Sequence, residues 1–251
     1  DTMDASFESL KKMAEGLAEK GVTSFLPTTM TMQREKIVAA LKCIRDSIGK
    51  TSGANICGAN LEGPFISEKY CGAQDKKYIV PPDIELVKEF CDIIKIVTYA
   101  PEKDCDNIFI KKLRQMGIRG SAGHSGADYA TAMSAFKNGA SHVTHLFNGM
   151  ENFHHRKAGI VLAALNSKVS CEIIADNVHL AEELYQLVIK VKGKDKIVII
   201  SDAVSAANMP EGKYKLGGRD ITVSEGRAFL EDGTIAGSTS DLPQNIKNIL
   251  K

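Results

Sequence analysis

The sequence predicts an α/β fold, a (β/α)8 barrel of TIM type carrying a small β insertion or accessory β-sheet. Three observations predict it. Strand-length apolar runs alternate with amphipathic helical stripes along most of the chain, the order that builds a parallel sheet covered by helices. No Gly-rich dinucleotide fingerprint follows any strand, so the main signature of an open, doubly wound sheet is missing. Chemically capable polar residues recur at the C-terminal ends of several strands, where a barrel gathers its site.

Phe7, Leu10, Met13 and Leu17 mark the first helix, and Gly21 closes it. The β-rich run 22–26 follows, and Ile37, Val38, Leu41, Ile44 and Ile48 form a second helical stripe. Further strands are expected near 55–61, 92–98, 118–123, 142–146, 169–175 and 196–202, with helices near 82–91, 106–116, 126–138, 158–166 and 180–191. That makes seven strands, and the eighth is expected ahead of Asp1. The chain opens without an initiator methionine against a helical pattern and stops at Lys251 inside another, so both ends read as cuts through a longer protein. Past Asp202 the period changes to two, punctuated by Gly217-Gly218, Glu225-Gly226 and Asp232-Gly233, the mark of a hairpin or meander. The expected division is barrel over 1–205, β insertion over 206–236, and a return to a barrel helix over 237–251.

Composition narrows the function classes. The 251 residues are 43% hydrophobic and 25% charged with a formal net charge of +1, which gives no electrostatic reason to expect nucleic acid or an anionic membrane as partner. Apolar runs such as Lys196–Ser201 are strand-length, far below the roughly 20 residues that cross a bilayer. Six cysteines show no C-x-x-C pairing, and a disulfide framework would be unusual in a domain this large. A reducing, cytoplasmic setting is the expectation.

Glu62, His124, His145 and Asp202 each end an expected strand. His124 and His145 are one strand–helix step apart, so a barrel projects them from adjacent strand ends into one mouth. Two imidazoles and a carboxylate are a familiar shell for catalytic zinc, and a further carboxylate outside the shell can take a proton from water. Each signal alone has a plainer reading: a lone histidine is more often structural, and Glu62 could cap a helix or pair with a lysine. Asp202 is harder to dismiss, since a buried strand rarely ends in an unpaired charge. His142, at odd spacing from His145, is expected on the opposite face in a structural role. His154, His155 and Arg156 form either a solvated basic loop or an anion clamp, arginine being the geometric match for phosphate. His179 follows another strand and could contact substrate.

Several words in the chain carry a resemblance. Leu61-Glu-Gly-Pro-Phe65, Ala122-Gly-His-Ser125, Val143-Thr-His-Leu-Phe-Asn-Gly-Met150, Ile174-Ala-Asp-Asn-Val-His179, Ser201-Asp-Ala203 and the pair Leu216-Gly-Gly218 and Ala236-Gly-Ser238 resemble, in order, the N-acetylglucosamine-6-phosphate deacetylase family of the amidohydrolase superfamily. The resemblance implies removal of acetate from an amino-sugar phosphate. It implies Glu62, His124 and His145 as ligands of one divalent metal per subunit, zinc first and iron or another transition metal as alternatives. Asp202 would be the general base and then the acid for the departing amine. Asn148 and the Gly149 backbone would grip the sugar phosphate, His179 would touch the sugar, and Arg156 would reach the phosphate of the neighbouring subunit in a homodimer. Many family members carry a histidine twelve residues after the metal-binding glutamate; here that position is Gln74, whose amide donates a hydrogen bond but carries no proton or charge. The rival readings are an amidohydrolase opening cyclic amides and a sugar-phosphate-binding barrel without catalysis. The phosphate-clamp candidates argue against the first and Asp202 against the second.

Overall fold

The computed structural model describes residues 1–251. Helix α1 (Phe7–Glu19) starts where the Ser6 hydroxyl accepts the Ser9 N–H, and it buries Leu10 and Ala14. Strands β1 (Ser24–Phe25) and β2 (Thr28–Thr29) lead into α2 (Arg34–Ser47), β3 (Asn55–Ile56) and β4 (Ala59–Glu62). Strand–helix alternation continues through α3 (Ile84–Glu89), β5 (Ile94–Tyr99), α4 (Ile108–Gln115), β6 (Arg119–Ala122), α5 (Tyr129–Asn138) and β7 (Ala140–Val143). It runs on through α6 (Ile160–Leu165), β8 (Ser170–Ile174), α7 (Glu183–Lys192) and β9 (Ile197–Ile200). Strands β10 (Gly212–Leu216), β11 (Arg219–Ser224) and β12 (Arg227–Leu230) precede α8 (Leu242–Ile249).

Seven strands form one parallel sheet in the order β2-β4-β5-β6-β7-β8-β9, with β2 and β9 as its two edges. This is the (β/α)8-barrel type of α/β architecture, strands in chain order with helices between them. Two expected strands differ in detail. The run at 22–26 contributes β1, which pairs with β3 in a separate two-stranded sheet, while the main sheet takes up β2. The expected 55–61 strand breaks at Cys57-Gly58. Gly58 has φ +138, and a Cβ there would lie 2.4 Å from the Ile93 carbonyl oxygen, so the chain can cross to its β5 neighbour only without a side chain.

Apolar packing fixes the strand ends. Leu61, Val97 and Tyr99 are buried in a core with Leu41, Ile44, Leu86 and Leu113 from α2, α3 and α4 and with Phe90 just past α3. Val143, Cys171 and Ile173 belong to a second core with Ile160, Val161, Tyr185 and Val188. Each fully buried aliphatic or aromatic side chain contributes about 1.5–3 kcal/mol, so these layers outweigh the propensity of the short helices. Hydroxyls also lie between strands: Thr98 and Ser121 bond Thr144 Oγ1 at 2.8 and 2.6 Å, all three side chains buried.

The meander β10-β11-β12 turns at Gly217-Gly218 and Glu225-Gly226, whose four positive φ angles suit two-residue hairpin loops. Leu216, Ile221, Val223, Ala228 and Leu230 pack with Met30, Ala73 and Val204. Arg219 Nη1 donates to the Ala73 carbonyl at 3.1 Å, which docks the meander on the loop carrying Gln74. Its two ends meet where Val204 N–H donates to Ser238 O and Ser238 N–H donates to Asp202 O.

Candidate active site

The parallel register brings the carboxyl ends of the strands to one rim. Glu62 is the last residue of β4, His124 and His145 lie two residues beyond β6 and β7, and Asp202 lies two beyond β9. Ala122 and Val143 are register partners, so the two histidines occupy equivalent places on neighbouring strands. His124, His145 and Asp202 have φ of 46°, 31° and 48°. Left-handed backbone of this kind costs about 1–3 kcal/mol at a non-glycine residue and turns the side chain off the strand line into the mouth. All four line one cavity of about 1190 Å³, together with Gln74, Asn148, Gly149 and His179.

His124 Nε2 lies 3.1 Å from Glu62 Oε1 and 3.1 Å from His145 Nε2, and the Glu62–His145 separation is 3.7 Å. His124 Nδ1 donates to the Tyr70 carbonyl at 2.8 Å, so in the neutral ring the Nε2 lone pair faces the cluster. Two imidazole nitrogens and a carboxylate oxygen converging in buried surroundings require positive charge between them. A metal ion fits that requirement, and this group could hold one. Without it a proton serves: burial pulls the His145 pKa down, but Glu62, Asp202 and Glu172 overcome that and raise it to about 9. Burial would push the Glu62 carboxyl up, yet hydrogen bonds from His124 and His145 hold it well below the usual carboxylate range. Asp202 goes the other way, raised first by burial and then by the charge on Glu62. One carboxylate of the site is thus kept ionised while the other is made a better base, the separation that acid–base chemistry uses.

Gln74 is buried beside this group. Its Oε1 accepts the Thr31 N–H at 2.6 Å and its Nε2 donates to Glu62 Oε1 at 3.0 Å. Both amide atoms are therefore in use, and the side chain is oriented toward the carboxylate. His179 Nδ1 is 2.8 Å from Asp176 Oδ2, and Asp176 also accepts the N–H groups of Val178 and His179 and the Ser238 hydroxyl. Asp176 is pulled down to about 2, burial being outweighed by these bonds and by His179. Asn148 and Gly149 follow His145 in the turn closed by Asn148 N–H to His145 O. Arg156 is exposed and does not line this cavity; its N–H bonds His154 Nδ1 at 3.2 Å in a tight turn with Lys157. His142 is buried on Glu172, Nε2 to Oε1 at 2.9 Å, away from the convergent group.

No protein-family model matches the chain. A curated N-acetylglucosamine-6-phosphate deacetylase of Bacillus subtilis is 41% identical over 99% of this chain and 65% of its own length. The crystal structure of the Thermotoga maritima N-acetylglucosamine-6-phosphate deacetylase is 39% identical and superposes with a TM-score of 0.92, covering 99% of this chain and 68% of that one. The chain belongs to the N-acetylglucosamine-6-phosphate deacetylase family. It spans about two-thirds of the length of such deacetylases. A Mycobacterium smegmatis N-acetyl-D-glucosamine-6-phosphate deacetylase, solved as an Asp-to-Ala variant with N-acetyl-D-glucosamine-6-phosphate bound, is 29% identical with a TM-score of 0.91, covering 99% of this chain and 66% of that one.

Within this deacetylase frame the structure adds residues that sequence reasoning missed. Tyr70 holds His124 through a backbone carbonyl, and Thr31 holds Gln74 through a backbone N–H. Glu172 joins His142 to the His145 backbone N–H, the latter at 3.2 Å. Asn245 and Asn248 of α8 donate to the carbonyls of Ile200 and Ala175, which tethers the ends of β9 and β8. Backbone partners carry no side-chain signature, and only the odd polar residues Glu172, Asn245 and Asn248 in apolar settings hinted at buried bonds.

Gly149 yields a direct test. It has φ +57, and a Cβ there would sit 2.8 Å from His124 Nδ1 and 3.1 Å from the Tyr70 carbonyl oxygen. Gly149→Ala is expected to displace His124 and weaken metal binding by about 10–100-fold, the usual effect of losing a ligand's hydrogen-bonded support. Competition against a chelator measures it, and unchanged retention would mean that the turn yields without moving His124.

Proposed function

We propose that the chain belongs to an enzyme that hydrolyses N-acetyl-D-glucosamine 6-phosphate to D-glucosamine 6-phosphate and acetate. The observation that carries this is the convergence of Glu62, His124 and His145 beside Asp202 in one cavity, in a chain whose deacetylase relatives align over nearly all of it. Glu62, His124 and His145 hold one divalent metal per subunit. Zinc suits two imidazoles and a carboxylate best, with iron or another transition metal as the alternative. When bound, such an ion polarises the acetyl carbonyl and makes water a usable nucleophile at neutral pH. Asp202, with its raised pKa, takes a proton from the attacking water and returns it to the amide nitrogen as the C–N bond breaks. Gln74 keeps the Glu62 carboxylate in place and lines the substrate cavity beside it. His179, fixed by Asp176, faces the sugar, and Asn148 with the Gly149 backbone holds the sugar phosphate.

Arg156 lies outside its own cavity and exposed, which suits an arginine that completes a neighbouring subunit's site in a homodimer. Arg156→Ala is expected to raise KM for the phosphorylated sugar about tenfold to a hundredfold, the range of a lost charge-assisted bond. The unphosphorylated sugar should be little affected; equal loss with both would remove the phosphate clamp from the reading. Six free cysteines fit a reducing, cytoplasmic setting, and no helix is long and apolar enough to cross a membrane. In the same reading 1–205 and 237–251 form the barrel and 206–236 is its β insertion. Acetate release from the phosphorylated sugar, measured with metal content on the full polypeptide, tests the whole: metal without acetate release would favour a sugar-phosphate-binding barrel.

A further inference from the structure

We propose that Tyr70 is a positioning residue that ties the Arg156 loop to the metal-ligand framework and thereby sets selectivity for the phosphorylated substrate. The inference rests on the phosphate role of Arg156 given above and extends it to a residue outside the cavity.

Three segments meet at Tyr70. Its carbonyl accepts His124 Nδ1–H at 2.8 Å, and the Ser67 N–H beside it donates to the His124 carbonyl at 2.9 Å. Its ring lies over Gly126, where a Cβ would come within 2.4 Å of the ring, so the absence of a side chain there admits the ring. Its hydroxyl donates to Glu151 Oε2. Glu151 in turn accepts Lys157 Nζ at 3.2 Å through Oε1. The strap that begins at Glu151 runs exposed through Arg156 and is pinned beside the barrel by backbone bonds at its two ends, Glu151 N–H to Ser125 O and Tyr129 N–H to Ala158 O.

Between those ends, the one hydrogen bond or ion pair that carries a side chain of Asn152–Lys157 toward the barrel is Lys157 to Glu151 and thence to Tyr70. Glu151 is also approached by Lys69 Nζ, but at 3.9 Å, beyond hydrogen-bond distance, whereas the Lys157 ammonium, about as exposed, comes to 3.2 Å. An exposed strap with one side-chain anchor samples many conformations once the anchor is cut. Arg156 sits directly beside the anchored lysine, so its placement depends on the Tyr70–Glu151 bond. The chemistry fits: a phenol donating to a carboxylate is a short, directional bond, and the carboxylate then orients the lysine.

Tyr70→Phe tests this, because it keeps the ring over Gly126 and the carbonyl on His124 and removes only the hydroxyl. The ratio of kcat/KM for the phosphorylated over the unphosphorylated N-acetylated sugar is expected to fall about tenfold, carried by KM, with metal content retained. Glu151→Gln should produce the same selectivity loss. In an Arg156→Ala background, Tyr70→Phe should cause no further loss, since both act through one contact. Equal loss for both substrates, or full additivity with Arg156→Ala, would overturn the proposal and leave Tyr70 a packing residue. If Arg156→Ala alone leaves selectivity intact, the phosphate role of Arg156 fails; a surviving Tyr70→Phe effect would then place the selectivity on Lys157 or its neighbours.

Discussion

Asp202→Asn is expected to lower kcat by about 10³–10⁴-fold while the protein keeps its metal and its fold, judged by metal analysis and thermal unfolding beside the acetate assay. The substitution is nearly isosteric. Asp202 adopts φ +48, and asparagine tolerates the left-handed region at least as well as aspartate, so the backbone gains no strain. Its carbonyl still accepts the Ser238 N–H that closes the meander. What disappears is the ability to hold a proton. Asp202 is the one carboxylate of the mouth that burial and the Glu62 charge push up, whereas Glu62 is held ionised by two histidines. The acid–base role therefore has no ready substitute nearby. Loss of metal along with turnover would instead make Asp202 a ligand, and near-normal turnover would move the base elsewhere.

The parts of this site that sequence alone made legible share a cause. Glu62, His124, His145 and Asp202 each stand where an apolar strand gives way to a polar residue, and parallel strands in chain order deliver such positions to one rim. The alternation itself was legible because parallel strands buried on both faces read as apolar runs, as in Ile197–Ile200. What escaped depends on register and on backbone groups. The break at Gly58 follows from the close approach of the Ile93 carbonyl, which no local pattern announces. Gln74 could be placed twelve residues after Glu62, but its orientation is set by the Thr31 N–H, a donor that every residue but proline has. Tyr70 is the sharpest case, for its role on His124 belongs to the carbonyl and its role on Glu151 to a partner 81 positions away.

His145→Ala should strip the metal and with it essentially all activity. Two ligands remain, Glu62 and His124, and catalytic zinc sites are built on three protein ligands, so dialysed protein should come out metal-free under conditions where the parent retains a stoichiometric ion. The consequences go beyond one lost bond. In the metal-free state His145 supplies the positive charge that keeps the buried Glu62 carboxylate ionised, because Glu62, Asp202 and Glu172 raise it to about 9. Removing the imidazole leaves Glu62 with only the His124 ring and the Gln74 amide within hydrogen-bond reach, and a buried carboxylate stripped of its positive partner is costly. The void left by a ring packed edge-on against His124 at 4.7 Å between centroids adds to that cost. The variant should therefore melt below the metal-free parent as well as below the loaded one. Comparing the two metal-free proteins separates the charge and packing contribution of His145 from its contribution as a ligand. If the variant retained metal with parental affinity, Glu62 and His124 would have a third partner in the cavity, and the ligand set would need to be redrawn.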